Sequence, residues 1–282
     1  MRAYVELVRA PAALTVLGDT VAGAAASGNP LRGRRVLLPL ASVALYWSGM
    51  ALNDWADRDL DAVERPERPV PSGRITPNRA LAVAAGLSAT GLGIAAWAGG
   101  RDSLSVAVPL ALAIWSYDTV LKSTPAGPLG MAACRGLDVL LGASGAGGAL
   151  PAAAAVAGHT LGVTALSRGE VHGASASVAR AVLGGTALSA VAAVVGPSAS
   201  WRHRLAGLTA ATGYAVTVGR AQLAAARTPD AASVRTATKA GIHGMVPLQS
   251  ALAARAGSVV AAAAVALALP LARRLSRKVS PT

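Results

Sequence analysis

The chain has 282 residues, 53% hydrophobic and 14% charged, with a mean hydropathy of +0.49. Its apolar weight falls in runs near the bilayer-spanning length of about 20 residues, which excludes a soluble globule and predicts a polytopic, all-α membrane protein. The net charge of +13 is spread too thinly for a nucleic-acid partner and suits basic loops against anionic membrane lipid, while the single cysteine, Cys134, excludes a disulfide framework and a cysteine-rich metal site.

Met1–Arg9 mixes Arg2, Glu6 and Arg9 with apolar residues and shows no cleavable leader, so the first run, 11–28, is expected to stay in the membrane. The second run covers 35–56. A third, 77–99, opens on Thr76-Pro77, a good N-cap and first-turn pair. Further runs follow at 103–121, 128–149, 151–167, 176–196, 203–226 and 236–253. A last run, 256–272, precedes the basic cluster Arg273–Lys278. The 236–253 run contains Lys239, His243, Pro247 and Gln249, so the bundle has nine spans or ten. Short loops join the runs, and residues 1–282 read as one transmembrane domain around a central cavity. Small residues at Gly23–Gly28 and Gly142–Gly148 allow helices to approach closely.

The second run ends in Asn53-Asp54-Trp55-Ala56-Asp57-Arg58-Asp59-Leu60-Asp61. Ionisable groups at membrane depth are costly and mark functional sites. Asp54, Asp57 and Asp61, at i, i+3 and i+7, share one face of a continuous helix, with Asn53 beside them. Such a ladder of hard oxygens suits magnesium and does not suit zinc or iron. The polar stretch 57–76 follows, with prolines at 66, 69 and 71 that make it a loop.

A second polar island, Ser167-Arg168-Gly169-Glu170-Val171-His172, follows the sixth run. Four spans separate the islands, so both lie on one side of the membrane, together with Lys122. Most of the 26 lysines and arginines fall on that side as well, which makes it cytoplasmic in a cell-membrane protein. Acids, arginines and a lysine around one mouth suggest a polyanion bridged by magnesium, with guanidinium forks on the remaining oxygens. An apolar interior behind the mouth takes a lipid tail, and an isoprenyl diphosphate has that shape. Asp19, inside the first run, is a candidate contact for an acceptor. Arg135 and Asp138, at i and i+3, are expected to pair with each other. His159, His203 and His243 stand apart in sequence and receive no role.

Asn53-Asp54-x-x-Asp57-x-x-x-Asp61, followed by Arg65-Pro66-Glu67-Arg68-Pro69-Val70-Pro71-Ser72-Gly73-Arg74-Ile75-Thr76, resembles the first Asp-rich motif of UbiA-type prenyltransferases. Ser116-Tyr117 through Lys122, then Gly130 and Arg135-Gly136, resemble that family's next segment. The resemblance spans about residues 5–250 and is strongest at 47–80 and 115–142. It implies an intramembrane, Mg2+-dependent enzyme that moves a prenyl group from its diphosphate to a small-molecule acceptor. In that reading Asp54, Asp57 and Asp61 hold the metal and act with Lys122 in catalysis. Asn53, Arg65, Arg68, Tyr117, Arg168 and Glu170 bind substrate, and the Tyr117 ring steadies a cation-like allylic carbon.

One departure stands out. Where the family carries a second Asp-rich motif, this chain has Ser167, Arg168, Glu170 and His172. The surrounding string, Leu166 to Gly173, resembles an offshoot labelled EboC-like. Arg168 brings positive charge where a second metal is expected, which leaves open one metal instead of two, another leaving group, or a non-catalytic lipid-diphosphate binder. A transporter of an anionic lipid or metabolite is the remaining alternative, and the internal repeats it calls for are not visible.

Overall fold

The computed structural model describes residues 2–267 and residue 270, and among these all regular structure is helical. The basic cluster Arg273–Lys278 lies outside the described residues; the last apolar run is helical over 259–267. Ten helices precede it, numbered here in chain order: α1 Arg2–Leu7, α2 Leu17–Ala26, α3 Leu38–Ala56, α4 Arg58–Glu64, α5 Pro77–Thr119, α6 Gly127–Gly142, α7 Leu150–Ser167, α8 Ala176–Val194, α9 Trp201–Arg227 and α10 Ala231–Arg255. Among the described residues, four stretches are long and apolar enough to cross a membrane: Gly33–Ala56, Pro77–Thr119, Gly147–Ser167 and Ala176–Val194.

The 43-residue α5 is a hairpin of two helices. Gly100 sits at φ 64, ψ −147, a region open essentially only to glycine, and there the chain turns back. Trp115 Nε1 on the second leg donates to Ser88 Oγ on the first at 2.9 Å, which fixes the legs side by side. The legs, 77–99 and 101–119, reproduce the third and fourth expected runs. The α3 helix packs on both: Ser48 donates to the Ala84 carbonyl at 2.8 Å, and Asn53 reaches Asp118 on the other leg.

Helix starts follow ordinary capping chemistry. Thr76, Ser175, Ser200 and Asp230 each accept a hydrogen bond from a backbone N–H three residues on, at the starts of α5, α8, α9 and α10. Tight packing between α2 and α6 rests on two glycines. A Cβ at Gly142 would meet the Thr20 carbonyl oxygen at 2.0 Å, and one at Gly23 would meet that of Val139 at 1.8 Å. Backbones therefore touch where any side chain would separate them.

Two expectations about the acidic segment are corrected. The helix is not continuous through the carboxylates: α3 ends at Ala56, Asp57 leaves helical geometry at φ −91, ψ 5, and α4 restarts at Arg58. The stretch 57–76 is not all loop either, because the first proline stands at 66 and residues 58–64 complete two turns before it.

Candidate active site

Asp54 and Asp61 flank the break and are almost wholly buried, at 2% and 1% exposure. A buried carboxylate needs a partner, and here the partners are arginines. Arg68, delivered by the proline-rich segment, sets one guanidinium nitrogen 2.5 Å from Asp61 Oδ2 and 3.5 Å from Asp54 Oδ1. Arg9 donates to Asp54 Oδ1 at 3.0 Å from a backbone held in the left-handed region, φ 46, ψ 51. Arg65 stands 3.8 Å from Asp61 and is half exposed. Asp57, at the break, turns to Lys122 Nζ at 2.7 Å. Asn53 Nδ2 donates to Asp118 Oδ1 at 3.3 Å, so the second leg of α5 adds a buried acid to the group.

The expected residues thus gather, with two additions that sequence reasoning missed. Asp118 had a signal: it is a carboxylate ending an apolar run, four residues before Lys122. Arg9 had none, since only the folded chain brings it across 45 residues to Asp54. Tyr117 lines the cavity behind this mouth. Arg168 lies at the rim and donates to the Thr124 carbonyl, beside the N-terminus of α6. Glu170 is half-buried in the following turn, where its backbone carbonyl accepts from Arg235 at 2.7 Å.

Behind the mouth lies a cavity of about 460 Å³. Leu45, Leu110, Ile114, Met131, Val163 and Met245 give it apolar walls. Its far end is polar and corrects another expectation: Arg135 and Asp138 do not pair with each other. Arg135 Nε stands 2.9 Å from Asp19 Oδ2, and Asp138 accepts from Ser42 Oγ at 2.7 Å. The close approach of α2 to α6 brings Asp19 to Arg135 and decides the pairing. His159 is not isolated. Its Nε2 faces the Gly241 carbonyl at 2.9 Å and its Nδ1 the Tyr214 hydroxyl at 2.8 Å, which sets Nε2 as the protonated nitrogen.

Among the described residues no three of the acids, histidines and cysteine converge closely enough to hold an ion by themselves. The donor types nonetheless suit a hard cation. Carboxylate oxygens of Asp54, Asp57, Asp61 and Asp118 and the amide oxygen of Asn53 are the ligands magnesium takes, usually one or two carboxylates completed by water and phosphate oxygens. Arginines and Lys122 balance these acids before any ligand enters.

The pattern of the UbiA prenyltransferase family matches residues 13–169, more than half of the chain. The chain belongs to that family. Among relatives of this UbiA-family chain, the digeranylgeranylglyceryl phosphate synthase of Methanopyrus kandleri is 40% identical over 130 residues, 44% of this chain and 46% of that protein. The corresponding synthase of Korarchaeum cryptofilum is 34% identical over 122 residues, 43% of each chain. The match spans less than half the length of these curated relatives. A UbiA homologue from Aeropyrum pernix K1 shares the fold with a TM-score of 0.65 at 19% identity, over 82% of this chain and 94% of that one. A UbiA homologue from Archaeoglobus fulgidus, bound to GPP and Mg2+, gives 0.62 at 13% identity, over 86% and 99%.

Proposed function

We propose that this UbiA-family chain is an intramembrane prenyltransferase that moves an isoprenyl group from its diphosphate to a small-molecule acceptor. The observation that carries the reading is the paired mouth: buried Asp54 and Asp61 bridged by Arg68, Asp57 on Lys122, and Asn53 with Asp118, all at the entrance of an apolar-walled cavity.

In this reading the diphosphate lies in the mouth and the hydrocarbon among Leu45, Leu110 and Ile114. Asp54, Asp57 and Asp61 would hold magnesium, which would supply charge neutralisation for the departing diphosphate. Arg9 and Arg68 hold Asp54, Arg68 also holds Asp61, and their guanidinium groups offer donors to phosphate oxygens. Lys122, three donors on a flexible stem, moves from Asp57 to an entering phosphate. The allylic carbon–oxygen bond breaks with its electron pair on diphosphate, and charge building there meets fixed positive groups. A new bond forms to the acceptor, which gives up a proton. Tyr117 offers its ring face to the cation-like carbon, and the aliphatic walls keep water away. Arg168 and Glu170 act at the rim. The acidic mouth faces the cytoplasm, residues 1–282 form one domain, and nine or ten spans cross the cell membrane, the basic loops supporting this orientation.

The names of the relatives favour a polar-lipid acceptor, but the regions they share with this chain stop short of assigning one. A non-catalytic, diphosphate-binding role keeps a specific support in Arg168, which stands at the rim where an acidic motif is expected. Diphosphate release from geranyl diphosphate by the purified protein, with Mg2+ and lipid extract as the acceptor source, separates the two. Release that requires Mg2+ and disappears in Asp57→Asn supports the enzyme; binding of the diphosphate without release supports the second role.

A further inference from the structure

The α7 and α10 side of the cavity carries a group that the mouth chemistry leaves unused. Thr238 is 2% exposed and lines the cavity, and its hydroxyl has no hydrogen-bond partner among the described residues. Thr238, Gly241, Ile242 and Met245, at i, i+3, i+4 and i+7, all line the cavity, so they form one face of α10. A threonine inside a helix can give its proton to the carbonyl four residues back. Thr160 does so to Val156 and Thr236 to Ala232, each at 2.9 Å. Thr238 does not use the Val234 carbonyl in this way. A buried hydroxyl without a partner is destabilising, and such groups in folded proteins call for an explanation. This one belongs to a residue that borders open space, where a ligand can supply the partner.

The surroundings set the class of that ligand. Among the described residues α7 and α10 bring no formal charge to the cavity: they line it with hydroxyls, apolar groups and His159, whose two ring nitrogens are both occupied. The charged lining residues, Arg9, Asp118, Arg135 and Asp138, stand on other elements. A carboxylate or ammonium held against this wall would be buried without a counter-charge. A neutral hydroxyl meets no such penalty. It can accept from Thr238, and Ser167 Oγ, which gives its own proton to the Thr164 carbonyl at 2.9 Å, keeps lone pairs to receive a proton in return.

Register places Thr238 near the mouth. The start of α10 lies beside the end of α7, since Arg235 donates to the Glu170 carbonyl at 2.7 Å. Gly241 packs on Val163, where an added Cβ would meet the valine side chain at 2.5 Å. Thr238, three residues before Gly241, is therefore about 4.5 Å nearer the rim, level with the last turn of α7. We propose that Thr238 is a specificity-determining contact for the acceptor, holding a neutral hydroxyl of that molecule on the α7 and α10 side while the prenyl chain lies along Leu45, Leu110 and Ile114. The inference rests on the reading of the mouth as the diphosphate end.

Thr238→Val keeps the shape of the side chain and removes the hydroxyl; Thr238→Ser keeps the hydroxyl. The purified full-length protein and both variants are melted without ligand, then titrated calorimetrically with benzyl alcohol and with ethylbenzene, in which a methyl group replaces the hydroxyl. Partition into detergent is common to all three proteins and cancels in the ratio of the two affinities. Without ligand, Thr238→Val should melt at or above the wild type, because the lost hydroxyl bonds to nothing in the fold. The preference for the alcohol over ethylbenzene should fall about fivefold or more in Thr238→Val, the scale of one hydrogen bond, and stay in Thr238→Ser. A Thr238→Val protein that melts below the wild type or fails to fold shows a hydroxyl bonded within the fold and overturns the assignment. A preference unchanged in Thr238→Val, or no binding of the alcohol, overturns it as well. Inorganic pyrophosphate with Mg2+, titrated into the same samples, reports the mouth. Absent pyrophosphate binding with the alcohol preference intact sinks the reading of the mouth instead and leaves Thr238 as a hydroxyl site.

Discussion

Arg9 donates to Asp54 at 3.0 Å across 45 residues of sequence, joining the segment before the first span to the acidic end of α3. The left-handed backbone at Arg9 aims this side chain, a conformation a non-glycine residue holds only where surrounding structure enforces it. Replacing Arg9 with alanine leaves Asp54 with Arg68 alone, at 3.5 Å. Affinity for geranyl diphosphate with Mg2+ is expected to fall about tenfold or more, the scale of a charge-assisted hydrogen bond. Calorimetric titration checks it, and an unchanged affinity removes Arg9 from the site.

Helix contact sets the second expectation. Valine at Gly142 would drive a side chain into the Thr20 backbone, whereas Gly213 and Gly219 face open space. Gly142→Val should destabilise the protein by about 3 kcal/mol or more, as overpacking of a rigid contact does, while Gly213→Ala should leave melting within a degree or two of the wild type. Thermal melts in detergent, followed by tryptophan fluorescence, make the comparison. Equal melting of both variants would remove the α2–α6 contact from the account of the far end of the cavity, where it brings Asp19 to Arg135.

Much of this was legible beforehand. The apolar runs gave the long helices, most within a few residues, because hydrocarbon forces the backbone to satisfy itself and little but a helix does so; the short α1 and α4 were not among them. The acidic motif named the mouth. What could not be read was pairing across the fold. Arg135 looked bound to Asp138 by spacing, yet α2, distant in sequence, brings Asp19 to Arg135, and Ser42 on α3 takes Asp138. The break at Asp57 was equally hidden: nothing in Ala56-Asp57-Arg58 forbids a helix, and only tertiary contacts separate Asp57, on Lys122, from Asp54 and Asp61, on Arg68.

Outside the spans, the Arg74 guanidinium hydrogen-bonds Glu6 and holds its carboxyl below the ordinary value of 4.5. A lowered carboxyl contributes stability that is complete above its unfolded value and lost as pH falls through the folded one. The wild type should therefore melt higher than Glu6→Gln at neutral pH, with the gap closing only in acid below 4.5. Melting curves of the two proteins across that range are the check. A gap that closes near neutrality contradicts the pairing of α1 with the proline-rich segment.

Titration of geranyl diphosphate into the purified protein, with and without Mg2+, tests the mouth most directly when repeated for Asp57→Asn and Arg68→Ala. The account predicts binding that needs the metal and weakens about a hundredfold in each variant, through loss of a carboxylate for the metal in Asp57→Asn and of the guanidinium on phosphate and on two buried acids in Arg68→Ala. Metal-independent binding of equal strength in the wild type and both variants would place the diphosphate elsewhere.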